Sequence, residues 1–108
     1  MDKDYQWGFD TEEEWDAKFK EWKKREWMSW LEAHLTFPFE AIYVEGDGKK
    51  VRVLELVDFD PGDLYGVIVE ARQERRTLDL PLCGLEVTPE TDPNYGPVKE
   101  FAVYWANR

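Results

Sequence analysis

Apolar positions between residues 11 and 36 recur at helical spacing. Trp15, Phe19 and Trp22 lie at i, i+4 and i+7 and form one stripe. Glu26 stands next on that stripe. Trp27, Trp30, Leu31 and Leu35 then form a second set, rotated from the first by more than a quarter turn at about 3.6 residues per turn. Thr11 followed by Glu14 has the form of a capping box, and Glu12 and Glu13 suit the positive end of a helix dipole. Ser29 with Glu32 has the form of a second box. The pattern predicts either two helices, over 11–25 and 27–35, or one helix covered on two faces. Phe37-Pro38 ends the run, because proline disfavours a helical residue before it.

Beyond residue 38 the period changes. Phe39–Glu45, Val51–Val57, Leu64–Gln73, Arg76–Leu80 and Leu82–Val87 read as short strands. Asp47-Gly48 is a hairpin signal between the first two, and Gly66 suits a bend or bulge in the third. So many strands with so little room for crossovers predict an antiparallel sheet. It is expected to curl into a small SH3-like barrel, an architecture that carries no function by itself. Residues 88–96 are a loop by composition. Val98, Phe101, Ala102 and Trp105 follow Pro97 at helical spacing and predict a short C-terminal helix, with a strand through Phe101, Val103 and Trp105 as the competitor. The expected class is α+β in one domain over 1–108. Its parts are a helical N-terminal part (1–36), a barrel-like part (37–87), and a loop and helix (88–108).

Composition narrows the function. The 108 residues carry 24 acids and 14 bases, a net charge of −10. That opposes non-specific binding to nucleic acid and docking on an anionic membrane leaflet, and it permits cations and basic proteins as partners. Six tryptophans, five tyrosines and six phenylalanines supply large buried areas, so the high charge does not prevent a core. Five of the six tryptophans lie before residue 31, at core spacing. No apolar run is long enough for a membrane helix, and Met1-Asp2-Lys3-Asp4 does not open a signal peptide. A cytoplasmic protein is expected. One cysteine, Cys83, and one histidine, His34, give no basis for a disulfide, a cysteine-based zinc site or histidine-dependent triad chemistry. Cys83 reads as a small buried hydrophobe, and His34 as a packed or capping residue at a helix end. Nothing marks a nucleophile, a phosphate loop or a cofactor box, so an enzyme is not expected.

The acids cluster. Residues 37–93 hold 13 acids against 6 bases. Asp58, Asp60 and Asp63 fall in Asp-Phe-Asp-Pro-Gly-Asp, between the second and third predicted strands. Their mutual repulsion is relieved by a divalent cation, and oxygen ligands suit calcium or magnesium. The EF-hand pattern fails, because position 6 is Asp63 and position 12 is Val69, where glycine and glutamate are required. On pattern alone the segment reads as a solvated acidic turn, since Asp, Pro and Gly are all turn formers. Glu86, Glu90 and Asp92 form a second acidic group, and Glu45 with Asp47 a third, while Glu40 opens the first strand.

Several runs carry a resemblance. They are Trp30-Leu31-Glu32 through Leu35-Thr36-Phe37-Pro38-Phe39-Glu40-Ala41, Val51-Arg52-Val53-Leu54, Leu64-Tyr65-Gly66-Val67-Ile68-Val69, Leu80-Pro81-Leu82-Cys83-Gly84-Leu85-Glu86-Val87 and the ending Tyr104-Trp105-Ala106-Asn107-Arg108. Over residues 30–108 the chain resembles the CcbP-type small acidic calcium-binding proteins. The resemblance implies a soluble protein that binds calcium without an EF-hand, as buffer or sensor. It implies Asp58, Asp60 and Asp63 as ligands, with Glu40 and Glu86 as further candidates. Gly84 stands where the resemblance implies an acid, which removes one ligand. The rival reading is a small-barrel interaction module whose acidic surface meets a basic protein partner without metal.

Overall fold

The computed structural model describes residues 11–60 and 66–108, with the backbone alone at residue 60. Among the described residues the chain runs α1 (Glu12–Lys24), α2 (Trp27–His34), β1 (Phe39–Ile42), β2 (Lys50–Asp60), β3 (Gly66–Gln73), β4 (Arg76–Pro81), a 3-10 turn (Leu82–Gly84), β5 (Glu86–Val87) and α3 (Tyr95–Asn107). The α+β class is as expected, and the helical region is a pair of helices.

The Thr11 hydroxyl caps α1 by accepting the Glu14 N–H at 3.1 Å. The helix stops at Arg25, whose backbone is extended. The second capping box does not form. Ser29 lies inside α2, whose N-cap is Glu26 and makes no side-chain capping bond. Burial explains the earlier start: the Trp27 indole is almost fully buried and donates to the Trp22 carbonyl at 3.0 Å. His34 is the expected helix-end residue, with Nδ1 2.7 Å from the Trp30 carbonyl and its ring stacked on Trp30.

All strand pairs are antiparallel, in the order β4-β3-β2-β1-β5. The barrel expectation is corrected here: the sheet stays open, with β4 and β5 as its two edges. The predicted strand over Leu82–Val87 is the cause. Its first half is the 3-10 turn, closed by the Leu85 N–H on the Leu82 carbonyl at 3.1 Å. Only Glu86 and Val87 remain as strand, too few to carry a closing ladder, and Pro81 has no N–H to donate to one. β1 is also shorter than expected. The Tyr43 carbonyl accepts the N–H groups of Gly46 and Gly48, and Gly48 at φ +72° completes that turn.

Helices cover the inner sheet face in place of a barrel wall. Phe39, Ala41, Val51, Val53, Val67, Val69, Ala71 and Leu80 meet Trp27, Leu31, Val98, Phe101 and Trp105 in one buried cluster. The competing strand at the C-terminus is thereby excluded, since α3 buries Val98, Phe101 and Trp105 on a single face. The first stripe joins through α3. Trp22 Nε1 donates to Glu100 Oε2 at 2.7 Å, and Arg25 donates to the same oxygen at 2.8 Å. The Arg25 guanidinium also lies over the rings of Trp27 and Trp30. Buried Asn94 ties the loop before α3 to the α2–β1 link, accepting the Thr36 N–H and donating to the Thr36 carbonyl.

Candidate metal centre

The carboxylates of interest depend on how β2 is built. Strict alternation from Val51 and Val53, both buried, would send Glu55 into the core and Leu56 into water. Two register shifts, between Val53 and Glu55 and between Leu56 and Asp58, prevent this. Each leaves one extra residue on β2, as a bulge does. Glu55 then pairs with Glu70 on the outer face, and Leu56 pairs with Val69 toward the core. The second shift returns Asp58 to the outer face and Phe59 to the inner one, and leaves Val57 exposed.

Asp58 and Asp60 therefore do not lie in a turn as expected. They belong to β2, as direct partners of Ile68 and Gly66, because apolar Phe59 between them draws the ladder onward to pack against Trp105 at 6.1 Å. Asp58 is exposed, and one of its oxygens accepts the Phe59 N–H at 2.8 Å. Asp63 lies outside the described residues.

The other two expected ligands stand apart from the aspartates. Glu40 is opposite Arg52 and binds its guanidinium at 2.9 Å. Arg52 precedes Asp58 by six positions on β2, a separation of up to about 20 Å at strand rise. Glu86 is opposite Ile42 on β5. The Tyr95 hydroxyl is pushed above the usual tyrosine range by desolvation, then by the charges of Glu90 and Glu86. Among the described residues, no three His, Cys, Asp or Glu side chains converge to hold a metal ion.

Sequence reading missed one feature. Glu55, Glu70 and Asp79 are direct partners across β2, β3 and β4, a row of three carboxylates beside Asp58 on the outer face. Like charges directly opposite destabilise a sheet, and among the described residues none of these four acids takes part in an ion pair. The signal lies in pairing register, which residue spacing along one strand does not carry. The donor chemistry fits a hard cation, since carboxylate oxygens are what calcium takes.

Elsewhere, acids are already engaged. Asp47 accepts the Lys49 N–H at 3.0 Å, which holds its carboxyl below the usual range, and also accepts from buried Gln73. Asp92 accepts from the Asn94 backbone and side chain. Half-buried Cys83 has its thiol pushed up by burial first and then by the Glu45 carboxylate, with Arg108 opposing. Less thiolate at a given pH means a slower nucleophile. Iodoacetamide at pH 8 is therefore expected to alkylate Cys83 several-fold more slowly in the folded protein than in urea; equal or faster alkylation would contradict that environment.

A family model described as calcium binding, Calci_bind_CcbP, matches residues 11–106. No curated protein and no solved structure matches the chain. Among the described residues, no helix is long and apolar enough to cross a membrane.

Proposed function

The chain belongs to the CcbP calcium-binding family, and we propose from that premise a cytoplasmic calcium buffer or sensor that takes its ion at the end of β2. The family match over residues 11–106 carries the reading. Asp58, Asp60 and Asp63 are the proposed ligands, with Glu40 and Glu86 outside their reach in the fold described above. The carboxylate row of Glu55, Glu70 and Asp79 supports this assignment, because a bound dication relieves the repulsion it adds around Asp58. What the ion supplies is charge neutralisation; the protein supplies hard oxygen donors at the end of β2. A site exposed to solvent, with few donors held in advance, suits sensor-range or weaker affinity.

Calorimetric titration with calcium, with magnesium as competitor, tests this. Binding heat is expected, together with stabilisation of about 2.7 kcal/mol at 100 times Kd. Asp58→Asn is expected to weaken binding more than Glu12→Gln. Absence of both heat and thermal shift at millimolar calcium would sink the proposal.

The same row of carboxylates favours a second reading, docking of a basic protein without metal. Retention of one partner from a lysate regardless of chelator would favour it over the first.

A further inference from the structure

We propose that α1 is an exchangeable arm: the break at Arg25 and Glu26 straightens, and the α1 of one copy then docks on α3 of a second copy. Nothing in the local sequence demands the break. No glycine or proline interrupts residues 12–34, and Lys23, Lys24, Arg25, Glu26 and Met28 are strong helix formers. α2 starts at Glu26 without a side-chain cap. α1 ends without the left-handed residue that commonly closes a helix. Arg25 has φ −74° and ψ 139°, and Glu26 has φ −83° and ψ 91°. Both φ values are already in the helical range, so rotation about ψ at two residues joins α1 and α2 into one helix. That helix would satisfy the N–H groups of Glu26, Trp27, Met28 and Ser29 on carbonyls four residues back, which a separate start of α2 leaves without intrahelical partners.

Tertiary contacts hold the break. Glu100 Oε2 accepts Trp22 Nε1 at 2.7 Å and the Arg25 guanidinium at 2.8 Å, with Lys18 Nζ 3.9 Å away. The Trp27 indole donates to the Trp22 carbonyl, the acceptor that the Glu26 N–H would take in a continuous helix. One turn beyond Glu100 on α3, the Tyr104 ring meets Phe19 at 5.7 Å and Trp22 at 6.4 Å. Local preference for one helix is thus opposed by a docking strip of Glu100 and Tyr104.

Straightening carries the 13 residues of α1 up to about 20 Å beyond the start of α2, away from their own α3. The stripe of Trp15, Phe19 and Trp22 is then uncovered. The surface that matches it, an aromatic ring beside a carboxylate placed for the Trp22 indole, is the α3 strip of a second copy. Reciprocal exchange restores the same contacts between copies, which makes swapping a low-cost route to a dimer, and a hinge this short favours it.

The test refolds the wild type and two variants from urea at micromolar and millimolar protein, in chelator, so that its outcome is independent of the functional reading above. Mass is read by light scattering after gel filtration. The wild type is expected to be monomeric when refolded dilute and to form dimer when refolded concentrated. Glu26 is exposed, and Glu26→Pro fits the broken form: φ −83° is close to proline's own, and extended Arg25 has the conformation a residue before proline prefers. Proline breaks the continuous helix, so the monomer should keep its circular dichroism while the dimer fraction falls at least tenfold. Glu26→Ala favours the continuous helix and should raise the dimer fraction several-fold.

An equal dimer fraction in Glu26→Pro and wild type would overturn the inference, since it would place the contact on another surface. So would a monomer at millimolar concentration in both the wild type and Glu26→Ala. Should Glu26→Pro not fold, hydrogen exchange on the dimer of the wild type or of Glu26→Ala decides. The amides of Glu26, Trp27, Met28 and Ser29 are expected to exchange more slowly in the dimer than in the monomer, and equal exchange would overturn the straightened hinge.

Discussion

Replacing Trp27 by alanine is expected to lower the unfolding free energy by about 3–5 kcal/mol, the usual cost of deleting a buried tryptophan. Trp27 is 2% exposed and joins both helical layers. Its ring packs within about 5.3 Å of Trp30, Phe101 and Tyr104, centroid to centroid. Its N–H satisfies the Trp22 carbonyl, and Arg25 lies over its face. Alanine leaves a cavity where α2 meets α3 and strips the cation from one of its rings. Typical domains hold only about 5–15 kcal/mol, so this single change approaches the limit of folding. Urea denaturation followed by tryptophan fluorescence and far-UV circular dichroism measures it. A loss below about 1 kcal/mol would show that the aromatic cluster is not the principal core. Trp27→Phe keeps ring contact and loses the hydrogen bond, and is expected to cost about 1–2 kcal/mol.

The second large effect is expected at Gly66. Gly66→Ala forces an L residue into the left-handed region at φ +69°, a cost of about 1–2 kcal/mol. It also drives a methyl against the Trp105 indole at 2.8 Å, an overpacking of about 1–3 kcal/mol. The sum is a loss of about 2–5 kcal/mol. Gly48 separates the two contributions. It has φ +72° but nothing within 4 Å of an added Cβ, so Gly48→Ala should cost the backbone part alone, about 1–2 kcal/mol. The difference between the two variants in urea reports the indole contact. Equal losses would show that Trp105 yields freely.

The helical part was legible because its signals are local. Thr11 caps α1 as its spacing with Glu14 predicts, and Val98, Phe101 and Trp105 share the buried face that their periodicity requires. Ser29 misled for the opposite reason. A capping motif is only a local offer, and burial of Trp27 started α2 before it. The sheet was legible in class and poorly legible in detail. Apolar Leu82 and Leu85 suggested a strand, whereas both are buried around a 3-10 turn that leaves the sheet open. Glu55 and Leu56 break strict alternation, and only the two bulges show why that break places both residues correctly.

The candidate site divides along the same line. Sequence alone determined the class, the helical N-terminal region, the aromatic core, the strongly acidic middle of the chain and the family to which it belongs. These rest on composition, period and short runs, which are properties of neighbours along the chain. Tertiary structure decided that Glu40 is committed to Arg52, that Glu86 stands opposite Ile42 on β5, and that Asp58 lies beside Glu55, Glu70 and Asp79. It also decided that Trp105 presses on the strand ends. The reason is physical. Strand register and helix docking are set by how apolar side chains from distant segments fill one core, and the charged groups on the far face go wherever that packing carries them.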